Sequence, residues 1–528
     1  MSGQIVDTKA PPSQNIDPSA NMFLRLINQF LGLSIFLLSS LIVEAKKTGG
    51  KDFRPMDRWY EVYLGKSKVG FAHSTMKLKN EEVVSESIFE MKIKRAGQVI
   101  GMKASEKTRE TIEGAILGFS GEVLMAGIPI TKKGWVEEGE IVVKEKQFFR
   151  ETTKRYPLDP KGKMTWGLLN FLRQREFRKA GQTYDLLVYS PDFGMAKPTK
   201  AIIRTLGAGK VTLGKKEQLA YKTEIELRTK LGSMKTTNWL DDQGIAVRTQ
   251  MNMGGLDIDI RQASQEEAIR EESIRNDFLM DTVISLDSSI PENAQRSIFR
   301  LSVSEGKLTG ISYEGKTQKL TRIDEQTIEV EVLAEDWKAI RKGKGHPAQV
   351  DREFREPNIL IDSGDVLIKN LAQEAGKGAG NIFQMAEKLC RFVYLYVSSK
   401  NFSVGFASAS EVARKREGDC TEHGILLAAL GRSMGIPSRV MTGIVYVDKF
   451  KGVEHAMVYH MWTQFFLKGR WVNFDPALGK VRCPADRITL FASSLQEQSL
   501  TESMLPASEL MGKLIVEKIT EHKRNLKE

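Results

Sequence analysis

Residues 417–479 limit the folds open to this chain more than any other stretch. There an apolar run follows a Gly-Asp-Cys triplet, and two strand-like segments follow that run. From Ile425 to Leu430 the residues are apolar and good helix formers, and Gly435, Ile436 and Pro437 supply a stop. Asp419, with Glu422 three residues on, has the spacing of an N-cap pair. Cys420 then falls in the first helical turn, where the helix dipole favours a thiolate. The charge of Asp419 acts the other way, so a thiolate here needs a cation, and an imidazolium would serve.

Residues 458–467 are rich in Tyr, Val, Trp, Thr and Phe and read as a strand. Alternation puts His460, Trp462 and Gln464 on one face. Lys468, Gly469 and Arg470 signal a turn, and residues 471–475 make the second strand of a hairpin that ends at Pro476. Neighbouring strands lie ~5 Å apart, so a carboxylate at Asp475 can reach an imidazole at His460. Thiol, imidazole and carboxylate in that set allow a thiolate to attack a carbonyl while the histidine carries the proton and the acid fixes its tautomer. Two histidines compete for the middle role. His423 follows Cys420 on the same helix and reads as a satisfied structural histidine. His455 follows Gly452, Val453 and Glu454 and reads as a loop residue.

Four elements occur in order: Gly-Asp-Cys before an apolar helix, Gly-Ile-Pro-Ser-Arg-Val at 435–440, His460-x-Trp462, and Gly-x-Trp-Val-x-x-Asp-Pro at 469–476. Together they resemble the transglutaminase-like superfamily in its bacterial form, over residues 365–485. The resemblance implies a papain-like core with Cys420, His460 and Asp475 as a catalytic triad. It implies amide hydrolysis or acyl transfer on a peptide or protein through a thioester, with no cofactor. The backbone N–H of Cys420, at a helix N-terminus, is the expected oxyanion donor. No residue decides between water and an amine as acyl acceptor; hydrolysis is favoured because water is always present. Metal-ligand spacing is absent from the sequence. The rival reading is a non-enzymatic binding or assembly module on the cell envelope.

The rest of the chain sets the context. Lysine and arginine number 78 against 67 aspartates and glutamates, a net charge of +11. The excess is spread without a dense basic block, which disfavours nucleic acid as a partner. It suits an anionic surface such as lipid headgroups or wall polymers. Residues 1–21 are rich in Pro, Ser and Asn and read as a disordered tail. Residues 22–45 read as a signal peptide or membrane anchor: Arg25 leads an apolar run over 23–43, with Val43 and Ala45 at cleavage-site offsets. Either version places the remainder outside the cytoplasm, as a periplasmic, secreted or membrane-anchored protein. Three cysteines leave one thiol over in an exported protein. A Cys390–Cys483 disulfide and two buried reduced thiols are both compatible with the sequence.

Short alternating runs with glycine turns recur through residues 50–275, predicting an antiparallel sheet, barrel or sandwich that serves as a scaffold or binding domain. One helix is predicted within it, over 165–178. A smaller strand-rich unit follows at 276–335, with strands at 297–304 and 327–333, and then a linker over 336–364 broken by glycine and proline. The catalytic domain is expected over 365–500, opened by helices at 366–375, 381–398 and 408–415. Leu510, Leu514, Ile515 and Ile519 have helical spacing and predict a C-terminal helix over 501–528. The fold class is therefore α+β: a papain-like transglutaminase core preceded by strand-rich antiparallel β domains.

Overall fold

The computed structural model describes residues 53–519, apart from 96–97, 126–127, 148–149, 192–193, 215, 230–231, 254–255, 273–279, 304–306, 309–310, 312, 345–349, 400–406, 497–509 and 511. The expected N-terminal tail and the apolar segment at 22–45 lie outside the described residues, as does most of 501–528. The protein is α+β, with large antiparallel sheets first and helices joined to strands in the C-terminal half.

Fifteen strands, β1–β15, lie between Met56 and Ala263 and form one sheet. Its order, β8 (Arg150–Pro157) to β1 (Met56–Leu64) and then β15 (Leu256–Ala263) back to β10 (Thr183–Ser190), is two meanders joined by the antiparallel pairing of β1 with β15, and the short β9 (Gly162–Lys163) adds to β10 in parallel. Tight turns drive the meanders. Asn80 and Glu81, and again Glu138 and Gly139, form two-residue loops with both φ positive, the turn whose twist matches a hairpin. The sheet's two edge strands, β8 (Arg150–Pro157) and β9 (Gly162–Lys163), are consecutive in the chain. The four residues between them reach at most ~17 Å, whereas fifteen strands laid flat would span ~65 Å. The sheet must therefore roll up.

Inside the roll sits α1 (Thr165–Arg173), with Trp166, Leu168, Leu169 and Leu172 all buried. The carboxylate of Glu110 accepts the N–H groups of Trp166 (2.6 Å) and Gly167 (2.8 Å) at the open end of this helix. Burial pushes that carboxyl up to about 7. The short helix α2 (Gln265–Ile269), closed by a capping box from Ser264 and Glu267, ends the unit.

A second sheet runs β18–β19–β17–β24, with β17 at Arg296–Val303, β18 at Gln318–Arg322, β19 at Thr327–Leu333 and β24 at Leu514–Lys518. The C-terminal segment is thus a strand where the sequence predicts a helix. Leu514 and Val516 are buried while Ile515 is exposed, so the two-residue period governs. The reason is tertiary: β17 offers an unpaired edge, and residues 514–518 fill it antiparallel.

The third sheet carries the candidate site. It runs β16 (Ile284–Ser285), β21 (Val453–Leu467), β20 (Ser438–Phe450) and β23 (Arg487–Ser493), with β22 (Arg470–Phe474) on β21. In the stretch expected to be a linker, α3 (Trp337–Lys342) sets Trp337 edge-on against Phe383 and Phe474. Helices α4 (Val366–Gly376), α5 (Ile382–Tyr396) and α6 (Ala409–Lys415) begin at the N-caps Asp365, Asn381 and Ser408. They surround α7 (Cys420–Ser433), in which every residue from Cys420 to Arg432 is buried.

Candidate active site

Helix α7 begins where its N-cap dictates. The Asp419 side chain accepts the N–H of Thr421 (2.9 Å), and the Glu422 carboxylate accepts the N–H of Asp419 (3.0 Å). This reciprocal box starts the helix at Cys420. Gly418, at φ 151°, is required just before it: a Cβ there would meet Glu422 Cβ at 2.2 Å. Burial, together with the charge of Asp419, holds the Glu422 carboxyl well above the usual carboxylate range.

The helix lies against β21 and runs in the same direction. Gly424 packs by Met461, Trp462 and Thr463, and its carbonyl accepts the Thr463 hydroxyl at 2.8 Å. Farther along, Gly431 packs on Phe465, where a Cβ would meet the ring at 2.3 Å. One turn back from Gly424 is Cys420, and the same step back along β21 leads toward His460.

Strands β21 and β22 form the predicted hairpin. Leu467 pairs with Arg470 across Lys468 and Gly469, both at positive φ. Just beyond Phe474, Asp475 meets His460: Nε2 lies 2.8 Å from Oδ2, and both side chains are fully buried. A carboxylate only accepts, so Nε2 carries a hydrogen, and in the neutral imidazole Nδ1 keeps the lone pair. Nδ1 is buried and has no hydrogen-bond partner among the described residues.

Asp475 has two further donors. Arg487 Nη1 donates to the same Oδ2 at 2.8 Å, and the N–H of Leu478 donates to Oδ1 at 3.1 Å. Burial alone would raise this carboxyl. The facing His460 and Arg487 charges outweigh burial and hold it well below the usual carboxylate range. Arg487, also buried, donates through Nε to Asp486 at 2.9 Å, and Lys480 pairs with Asp486 at 2.9 Å.

A second network fixes the face that carries His460. Asn473 Oδ1 accepts from Trp462 Nε1 (2.7 Å) and Gln464 Nε2 (2.9 Å). The Asn473 N–H and Nδ2 donate to Glu335 at 3.0 and 2.9 Å. Burial pushes Glu335 up to about 7. His460 and Trp462 stack with ring centres 6.1 Å apart.

The structure brings His460 and Asp475 together and sets Cys420 at the head of the helix packed on the same strand. The other two histidines are elsewhere. His423 Nδ1 donates to the Asp419 carbonyl (2.6 Å) inside α7. His455 is not in a loop: it lies within β21, where the two-residue turn at Lys451 and Gly452 lets the strand start earlier than expected. Its Nδ1 is 3.0 Å from the Tyr446 hydroxyl. Cys390 and Cys483 are buried, reduced thiols that each donate to the Lys480 carbonyl, at 3.8 and 3.9 Å. Arg487, Asp486 and Glu335 were not singled out from sequence. An Asp-Arg pair opening an apolar strand carries no signal that it will face Asp475.

Among the described residues no group of His, Cys, Asp and Glu is gathered as metal ligands would be. A helix headed by a thiol, backed by an antiparallel sheet that pairs an imidazole with a carboxylate, is the layout of a transglutaminase-like domain. Residues 369–476 indeed match the family described as the transglutaminase-like superfamily. Similar solved structures include a protein from Cytophaga hutchinsonii provisionally named a cysteine protease, at 14% identity and TM-score 0.28, covering 43% of this chain and 84% of that one. A β-barrel-like protein of a domain of unknown function from Brucella abortus is similar at 14% identity and TM-score 0.32, over 40% of this chain and 96% of that one. A protein from Parabacteroides distasonis provisionally named a protease is similar at 11% identity and TM-score 0.19, over 70% of this chain and 69% of that one. No curated protein matches the chain.

Proposed function

We propose that this protein is an exported, cysteine-dependent enzyme that acts on amide bonds of peptides or proteins through a thioester. The observation that carries the reading is the buried His460–Asp475 bond, which leaves Nδ1 as the imidazole's basic atom beside a helix headed by Cys420. In this reading Nδ1 takes the proton from the Cys420 thiol and the thiolate adds to the amide carbonyl. The imidazolium then returns the proton to the departing amine, leaving a thioester on Cys420. The Cys420 N–H, at a helix start, stabilises the oxyanion. Water then opens the thioester, restoring the thiol and releasing an acid; an added amine in its place would give transfer. The apolar run at 23–43, led by Arg25, supports export to the periplasm or cell surface. The net charge of +11 supports a location at an anionic envelope surface.

One observation favours a second reading, a non-enzymatic envelope module: Cys420 is 1% and His460 2% exposed. The test is mass spectrometry of peptide and wall-fragment mixtures incubated with wild type and Cys420→Ala, with and without an added amine. Cleaved or amine-modified products that depend on Cys420 support the enzyme. Wild type and variant giving the same mixtures, with no labelling of Cys420 by a thiol probe at neutral pH, would favour the module.

A further inference from the structure

Four charged side chains stand behind the imidazole in an unbroken series. Lys480 pairs with Asp486, Asp486 with Arg487, Arg487 with Asp475, and Asp475 with His460. Arg487 is 3% exposed. The sequence places it in β23, which joins the sheet through β20 and not through the hairpin that carries His460 and Asp475. Two cations and two anions already balance before His460 takes a proton. Both His460 Nε2 and Arg487 Nη1 use the same oxygen, Oδ2, at 2.8 Å each. An imidazolium must therefore share its counter-charge with a permanent guanidinium.

We propose that Arg487 is a positioning residue for His460: it holds the Asp475 carboxylate in place and keeps the imidazole neutral until a thiolate forms beside it. The inference rests on the cysteine–histidine reading above and deepens it. A lone carboxylate behind the ring would favour the imidazolium. A protonated imidazole cannot act as the base. With Arg487 in place, protonation of Nδ1 is balanced by loss of the Cys420 proton, so the two groups ionise together.

Other groups face this cluster. Cys390 on α5 and Cys483 in the loop before Asp486 have thiols pushed up by burial, so they bring no charge. Asp419, the N-cap of α7, and Glu422 and His423 in its first turns are unchanged in every variant below. Glu335 is the group to control, because it titrates near neutrality and is bonded to Asn473, next but one to Asp475.

The experiment titrates His460 in the full chain by NMR, using ring-labelled histidine and a His460→Gln spectrum for assignment. It is done first in a Cys420→Ala background, where the histidine titrates without the thiol. Arg487→Gln should move the His460 midpoint up by roughly one to two pH units, because a cation within contact range of its carboxylate is gone. Asp486→Asn removes an anion instead and should move the midpoint down. Arg487→Lys keeps the cation and should return the midpoint toward that of wild type. The shifts should persist in a Glu335→Gln background. An Arg487→Gln midpoint equal to wild type would overturn the proposal, since a purely structural arginine would lower the melting temperature alone. If Arg487→Gln does not fold, Asp486→Asn decides: a downward shift supports the proposal and no shift overturns it. The parent reading fails by a separate sign. If restoring Cys420 leaves the His460 titration unchanged and Cys420 alkylates as an ordinary thiol, the catalytic reading falls, while the Arg487 shifts stand or fall independently.

Discussion

A buried carboxylate that accepts three donors is costly to remove, and Asp475 is one. His460, Arg487 and the Leu478 N–H all point at it. Asp475→Asn keeps one carbonyl oxygen for these donors and leaves the imidazole its orientation, so turnover should fall in part. Asp475→Ala frees the ring and takes from Arg487 one of its two buried carboxylate partners. Removing one partner of a buried ion pair costs ~3–5 kcal/mol, so the alanine variant should lose stability as well as turnover. Denaturant melts and kcat measured side by side test this; an alanine variant as stable as wild type would mean Asp475 carries no structural charge. At the neighbouring position, His460→Ala should lower kcat by about 10²–10⁴-fold, the usual range for loss of a positioned proton carrier. His455→Ala should leave kcat near wild type, because that side chain is spent on Tyr446. The reverse result would move the base to His455. Much of this was legible from residue types: Cys420, His460 and Asp475 have the chemistry and the order. Arg487 was not, because its closeness to Asp475 comes from the pairing of β23 with β20, which no local pattern encodes.

At the level of elements, the helix starts and the hairpin were readable because each is set by residues within four positions of one another. Asp419 with Glu422, Asn381, Ser408 and the Lys468–Gly469 turn all act locally. The link from β19 to α3 is different. It places Glu335 beneath Asn473, a contact between residues 138 positions apart. This contact carries a pH dependence. The folded carboxyl is raised to about 7 by burial, against ~4.3 in the unfolded chain. A raised carboxyl contributes stability that is full below the unfolded value and is lost as pH rises through the folded one. Wild type should therefore lose stability between pH 4 and pH 7 on this account. Glu335→Gln keeps an oxygen for the Asn473 donors and removes the ionisation. It should flatten that portion of the curve and leave the variant more stable than wild type above pH 7, by on the order of 4 kcal/mol. Parallel stability curves for the two proteins from pH 4 to 8 would show that Glu335 does not titrate in the fold.

Across the whole molecule, long-range pairing decides what local pattern leaves open. The sequence of 50–275 predicts many strands and turns but is equally consistent with a flat sheet, a barrel or a sandwich. The choice follows from β8 and β9 being both consecutive and the two edges of the sheet. The chain's last described strand shows the same rule in a form that can be tested. Read as a helix, residues 510–519 put Leu514 and Ile515 together on the buried side. In the sheet, Leu514 and Val516 point inward and Ile515 is 46% exposed. The two arrangements disagree about Val516 and Ile515, so single substitutions separate them. Val516→Asp buries a charge against β17 and should cost at least about 3 kcal/mol. Ile515→Asp places the same charge in solvent and should stay within roughly 0.5 kcal/mol of wild type. Losing β24 also leaves the edge of β17 open to other chains. Val516→Asp should therefore aggregate with a concentration dependence that Ile515→Asp lacks. Light scattering during thermal melts of the two variants measures both effects at once. A destabilised Ile515→Asp beside a native-like Val516→Asp would restore the helix and remove the fourth strand from this sheet.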